Sequence, residues 1–85
     1  MKVNETRAAI LEALAKSKLL SEADIAAYDS AGGDVSLDSL DIDSLKVFDF
    51  CVALEDVLGV EIEPEEIITN NSLSSLARHL AERVP

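Results

Sequence analysis

The sequence predicts an all-α fold, a small four-helix bundle in which three main helices and one short helix leave a long loop between the first and second main helices. Apolar residues recur at helical spacing through most of the chain, and helix caps, glycine or proline stand where these segments begin or end. Aromatic residues are 4% of the composition, so the core is predicted to be mainly Leu, Ile, Val and Ala. With 85 residues, the chain is predicted to be one domain, 1–85.

The first main helix is predicted over residues 4–17, with Asn4 as its cap and an apolar stripe. The stripe consists of Val3, Ile10, Leu11 and Leu14. Ser21 is a candidate cap for one further helical turn. Residues 29–43 contain two adjacent glycines and many Ser and Asp residues, so they are predicted to form a loop. The apolar residues expected to anchor this loop are Val35, Leu37, Leu40 and Ile42.

The second main helix is predicted over residues 44–58, and Gly59 suits its left-handed end. Pro64 suits the first position of a short helix, because proline lacks the N–H that a first helical turn leaves unused. The last helix is predicted to begin after Asn71 or Ser72. Its inward face is predicted to comprise Leu73, Leu76, Ala77 and Leu80.

Charge and cysteine content exclude several classes of function. The net charge is −10, and Lys46 is the one basic residue between positions 19 and 77, a span that holds 14 of the 17 acids. Nucleic-acid binding is therefore not expected, because phosphates require a basic surface. The single cysteine, Cys51, excludes an internal disulfide. The N-terminal residues have the pattern of neither a signal peptide nor a membrane span. We expect a cytoplasmic monomer that binds neither nucleic acid nor membrane.

The helix predicted over 44–58 has two different apolar faces when its residues are placed at about 100° intervals. The broad core arc contains Val47, Phe50, Cys51, Leu54, Val57 and Leu58. The second arc combines apolar and acidic side chains, namely Leu45, Phe48, Asp49, Val52, Glu55 and Asp56. Burying Glu55 in an apolar stripe would be costly. The second arc is therefore predicted to dock basic partners.

The segment DSLKVFDFCVALEDVLGVEI, residues 43–62, resembles the prosthetic-group segment of acyl carrier proteins. The order and lengths of the predicted elements also resemble that family along most of the chain. The resemblance implies a 4′-phosphopantetheine group, taken from coenzyme A and attached covalently to Ser44, with Asp43 and Leu45 beside it. It further implies acyl groups held as thioesters, and no catalytic residue in the carrier itself. The implied partners are a phosphopantetheinyl transferase and acyl-loading and acyl-processing enzymes with basic docking surfaces.

The tripeptide Asp-Ser-Leu occurs twice in LDSLDIDSL, residues 37–45, so Ser39 is a second candidate for attachment. Counted from Ser44, the downstream Ala-Leu-Glu and Gly59 fall where the family has them. Counted from Ser39, they arrive five positions late. The resemblance therefore implies attachment at Ser44.

Two alternatives to a discrete acyl carrier of fatty-acid, polyketide or related biosynthesis remain open. One is a stand-alone aminoacyl or peptidyl carrier, and the other is an unmodified acidic helical interaction domain. Departures from the family pattern at Asp41, Lys46, Phe48 and Phe50 leave the pathway undecided. No metal site is predicted, because the carboxylates lack the spacing of a calcium loop and His79 is the only histidine.

Overall fold

The computed structural model describes residues 1–31, 34, 36–37 and 43–84, with the backbone alone for 29–31 and 44. These residues form helices α1 (Val3–Lys16), α2 (Glu22–Ala31), α3 (Ser44–Leu58), α4 (Pro64–Thr69) and α5 (Leu73–Arg83). The predicted all-α class is confirmed. Across the described ranges, the one β-type pairing is an isolated bridge between Ser36 and Ser72. Within the same ranges, no helix has both the length and the apolar character needed to cross a membrane.

The core lies where α1 packs against α3 and α5. It contains aliphatic side chains and a single fully buried aromatic ring, that of Phe50. Three helices supply most of it: Ile10, Leu11, Ala13 and Leu14 from α1, Phe50, Cys51 and Leu54 from α3, and Leu73, Leu76, Ala77 and Leu80 from α5. The stripe predicted for α5 is fully buried. Of the core arc predicted for α3, the fold buries Phe50, Cys51 and Leu54 and leaves Val47, Val57 and Leu58 partly buried.

Helix α1 begins at Val3, one residue before its predicted range, and the prediction that Asn4 caps it is wrong. Lys2 is the N-cap and makes no side-chain capping bond. The fully buried Thr6 instead donates its hydroxyl to the Lys2 carbonyl at 2.9 Å. Because a buried hydroxyl needs an acceptor, this bond satisfies Thr6 and places Asn4 inside the first turn. Val3 is 43% exposed and does not belong to the core stripe.

The end of α1 is a tight left-handed turn in which lysine occupies the position usually taken by glycine. Lys18 has φ 62°. The Lys18 N–H donates to the Ala15 carbonyl at 3.0 Å, and the Leu19 N–H donates to the Leu14 carbonyl at 2.9 Å. These two bonds are those of a Schellman motif. The turn leaves the Lys18 side chain exposed beside the end of α1.

Helix α2 corrects the prediction of a loop over residues 29–43, because residues 29–31 belong to a ten-residue helix. The predicted cap is confirmed: Ser21 Oγ accepts a hydrogen bond from the Asp24 N–H at 3.2 Å. The helix has little apolar periodicity and contains four alanines, the residue with the highest helix propensity. Arg7 of α1 donates to the Tyr28 carbonyl at 2.8 Å and so holds α2 against α1.

The described part of the connection that follows α2 is attached to the start of α5. The Leu37 side chain is buried, as predicted, and its N–H donates to the Asn71 carbonyl at 2.7 Å. Asp34 Oδ1 accepts from the Ser74 N–H at 2.8 Å. The other predicted loop anchors, Val35, Leu40 and Ile42, lie outside the described residues, as does Ser39.

The predicted bounds of α3 and the predicted starts of α4 and α5 are confirmed. Gly59 ends α3 in the left-handed conformation at φ 72°, and its N–H donates to the Glu55 carbonyl at 2.8 Å. Pro64 is the first residue of α4. Of the two candidate caps for α5, Ser72 is the one whose hydroxyl accepts a hydrogen bond, from the Ser75 N–H at 3.2 Å.

Glu66 joins α4 to α5 through a small polar network. Its carboxylate accepts from the Glu63 N–H at 2.8 Å, contacts His79 Nε2 at 2.7 Å and accepts from Arg83 at 2.6 Å. Burial by itself raises the pKa of Glu66, but the hydrogen bonds from Glu63, His79 and Arg83 outweigh it and lower the pKa below its usual value. The ionised carboxylate therefore stabilises the folded state.

We expect Leu54→Ala to lower the free energy of unfolding by about 2–5 kcal/mol, because it leaves a cavity in the centre of the core. Val52→Ala on the same helix is the matched control, since Val52 is 51% exposed. It should change stability by no more than about 0.5 kcal/mol. Urea titration of both variants measures the difference. Equal losses would show that α3 is rotated differently from the arrangement described.

We expect Glu66→Gln to lower the free energy of unfolding by about 1–2 kcal/mol near neutral pH. The lowered pKa means that the wild type has this contribution in full above the usual glutamate pKa of about 4.3. The contribution is lost as the pH falls through the lowered pKa. In urea titrations from neutral pH into the acid range, the free energies of unfolding of the wild type and Glu66→Gln should therefore converge. Glu65→Gln, which changes an exposed neighbour in the same helix turn, keeps Glu66 and should therefore follow the wild type over the same pH range.

Candidate functional site

The candidate site is the N-terminal end of α3, where Asp43 is the N-cap and Ser44 is the first helical residue. Asp43 has extended backbone angles, and its Oδ1 accepts from the Lys46 N–H at 2.9 Å. Its carbonyl accepts from the Val47 N–H at 2.9 Å. The sequence Asp-Ser-Leu therefore begins the helix through the aspartate, and the serine is not needed as the cap.

Backbone geometry at this end favours an anion. The first N–H groups of any helix have no acceptor within the helix, and those of Ser44 and Leu45 belong to this set. The Asp43 carboxylate accepts from the N–H of Lys46. A phosphate joined to Ser44 would therefore lie at a helix end where backbone N–H groups have no acceptor within the helix and where the helix dipole is positive. The donor set fits a phosphodiester, with the charge of Asp43 acting against it.

The second arc of α3 is exposed, with apolar side chains at its centre. Leu45 is 78% exposed, Phe48 61% and Val52 51%. Asp49 and Asp56 are exposed beside them. Within the described part of the chain, α3 therefore buries one face and leaves a mixed apolar and acidic face uncovered. We call the six predicted residues of this arc, Glu55 among them, the docking face.

Glu55 differs from the other two acids of the docking face. It is half-buried, and its Oε2 accepts from the Ile62 N–H at 3.0 Å. Ile62 is itself a core residue, 3% exposed. Glu55 therefore has a structural role at the exit of α3, and this bond explains how a carboxylate is accommodated next to the core.

Asp56 marks the border between the docking face and the end of α1. Its Oδ2 lies 3.1 Å from Lys16 Nζ, and both side chains are largely exposed. A shallow groove of about 690 Å³ runs along this border. It is lined by Lys16, Ser17 and Lys18 at the end of α1 and by Asp49, Val52, Ala53, Glu55 and Asp56 of α3. Positive charge from α1 therefore meets one edge of an otherwise acidic face.

Cys51 and His79 have structural positions away from the start of α3. Cys51 is buried, and burial together with the charges of nearby glutamates raises the pKa of its thiol to about 11. His79 belongs to the network around Glu66. The described side chains contain no group of three or more potential metal ligands.

The polar network around Glu66 was missed from the sequence because Glu66 and His79 are 13 residues apart and no local pattern connects them.

Comparison with known families bears on this site directly. A family model described as the phosphopantetheine attachment site matches residues 18–80. This range includes α2, α3 and α4 entirely and most of α5. No curated protein and no solved structure gives a significant match. Members of this family are carriers that hold 4′-phosphopantetheine covalently, and they are not catalysts. Because the match covers most of the chain, the protein belongs to the phosphopantetheine-binding carrier family.

Proposed function

We propose that this carrier is an acyl carrier protein that holds its prosthetic group on Ser44. The observation that supports Ser44 most directly is its position as the first residue of α3. Asp43 already caps the helix, so the serine hydroxyl is not required for capping. The backbone donors at this end then suit the phosphodiester that attachment creates.

The chemistry of attachment makes only modest demands on the carrier. A new bond from the serine oxygen to the pantetheine-bearing phosphorus replaces the pyrophosphate bond of coenzyme A. Adenosine 3′,5′-bisphosphate leaves, and the hydroxyl proton passes to a base on the transferase. The group's terminal thiol, once attached, holds acyl groups as thioesters. The tasks left to this chain are to present a serine at a helix start and to offer a surface on which enzymes can bind.

We expect Ser44→Ala to abolish attachment while circular dichroism remains that of the wild type, because the helix keeps its Asp43 cap. Ser39→Ala, the matched change in the other Asp-Ser-Leu, should be modified normally. Incubation with coenzyme A and a broad-specificity phosphopantetheinyl transferase, followed by intact mass, measures both. Modification of the Ser44→Ala protein would contradict the assignment.

Acyl cargo is proposed over aminoacyl or peptidyl cargo because an aspartate, Asp43, precedes the serine, as in acyl and polyketide-type carriers. Fatty-acid, polyketide and related pathways all suit this assignment. Mass analysis of the thioester isolated from cells, released with hydroxylamine, identifies the cargo. An amino acid recovered there would favour the aminoacyl alternative.

We place the carrier in the cytoplasm as a monomer, consistent with its single buried thiol.

The docking face is proposed as the surface that the transferase and the acyl-processing enzymes contact. It begins beside Ser44, and it combines exposed apolar area with exposed carboxylates. The apolar side chains supply contact area, and the carboxylates steer a basic partner surface toward them. Asp49 and Asp56 are the acids proposed to contact the partner, since Glu55 is held by the Ile62 N–H.

We expect the double reversal Asp49→Lys and Asp56→Lys to lower the transferase kcat/KM by about tenfold or more at low salt, because it turns steering into repulsion. The control is Glu12→Lys with Glu82→Lys, which makes the same change in net charge at exposed positions of α1 and α5. The kcat/KM of the wild type should fall as salt rises, and the gap in kcat/KM between the wild type and the Asp49→Lys, Asp56→Lys protein should narrow. If both double variants lose rate equally, overall charge is responsible and the docking face is not.

A further inference from the structure

Lys46 is a cation for which the described residues provide no counter-charge. It is exposed, and its ammonium makes no ion pair there, although the acids Asp43 and Asp49 are close in sequence. It is also the one basic residue between positions 19 and 77. A lysine that pairs with none of the described acids near it in sequence calls for a further explanation.

The position of Lys46 in α3 is unfavourable for the helix by itself. With Asp43 as N-cap and Ser44 first, Lys46 is the third helical residue. The positive end of the helix dipole lies in this first turn, and a cation there is destabilising. An anion held at the same end would attract the Lys46 ammonium and offset this repulsion. The proposed attachment at Ser44 supplies such an anion.

The third residue of a helix is able to reach back over the helix start, and α4 provides an example within this chain. Glu66 is the third residue of α4, and its carboxylate accepts from the N–H of the N-cap, Glu63, at 2.8 Å. Lysine has a longer side chain than glutamate. From the equivalent place in α3, the Lys46 ammonium can therefore reach the space in front of the first helical residue.

We propose that Lys46 is a positioning residue whose ammonium pairs with the phosphodiester carried by Ser44. This inference rests on the attachment site proposed above and adds a role for a residue outside the docking face. The pair offsets the negative charges of Asp43 and of the phosphate at a crowded acidic end. It also restrains the first bonds of the prosthetic group against the start of α3.

The test compares the unmodified and modified forms of the wild type, Lys46→Gln, Lys46→Arg and the control Lys2→Gln, which changes another exposed lysine. Each protein is modified to completion with coenzyme A and a broad-specificity transferase, and peptide mass confirms attachment at Ser44. The measurement is the change in Tm that modification causes. For Lys46→Gln this change should be less stabilising than for the wild type by roughly 1–5 °C. For Lys46→Arg and Lys2→Gln, the change in Tm on modification should equal that of the wild type.

Salt and phosphorus NMR give independent checks. The difference between wild type and Lys46→Gln should shrink toward zero near 1 M salt, where the screening length is about 3 Å. The phosphodiester resonance should depend on salt in the wild type more than in Lys46→Gln. Equal changes in Tm for these two proteins, with attachment at Ser44 confirmed, would overturn the role of Lys46. Absence of modification at Ser44 would instead overturn the proposed attachment site.

Discussion

The burial of one arc of α3 is the constraint on which the rest of the molecule depends. Phe50, Cys51 and Leu54 are almost entirely removed from solvent, and this determines the rotation of the helix about its axis. Once that rotation is set, the arc containing Leu45, Phe48 and Val52 must face outward. Core packing and the proposed partner surface are thus two consequences of a single helix orientation.

Negative charge has different consequences at different places in the molecule. On α3, exposed carboxylates surround apolar side chains and are suited to steering a partner. At the exit of α3 and in α4, Glu55 and Glu66 are used internally, as acceptors for the Ile62 N–H and for the polar network on α5. Composition alone does not distinguish these uses. Hydrogen-bond geometry does, because an acid already held by the backbone has less freedom to meet a partner.

Local signals made much of the fold predictable, and long-range contacts account for what was missed. Helix α3 was predicted with its observed bounds because periodicity, an Asp cap and Gly59 all agree. Helix α2 was largely missed because its tendency to form helix comes from alanine propensity, which leaves no apolar stripe to detect. The Glu55 bond to Ile62 and the Glu66 network join residues that no short pattern connects. The start of α1 was misplaced for the same reason, since the need to satisfy buried Thr6 is visible only in the packed structure.

The buried position of Cys51 has a chemical consequence for a protein that works through a thiol. A thiol with a pKa raised to about 11 is almost entirely protonated at neutral pH, and protonated thiols are poor nucleophiles. The cysteine of the carrier is therefore unable to compete for thioester cargo or to form a disulfide readily with the prosthetic arm. Reagents selective for thiolates will then report the arm alone, so the state of loading is readable on the native protein without removing its cysteine.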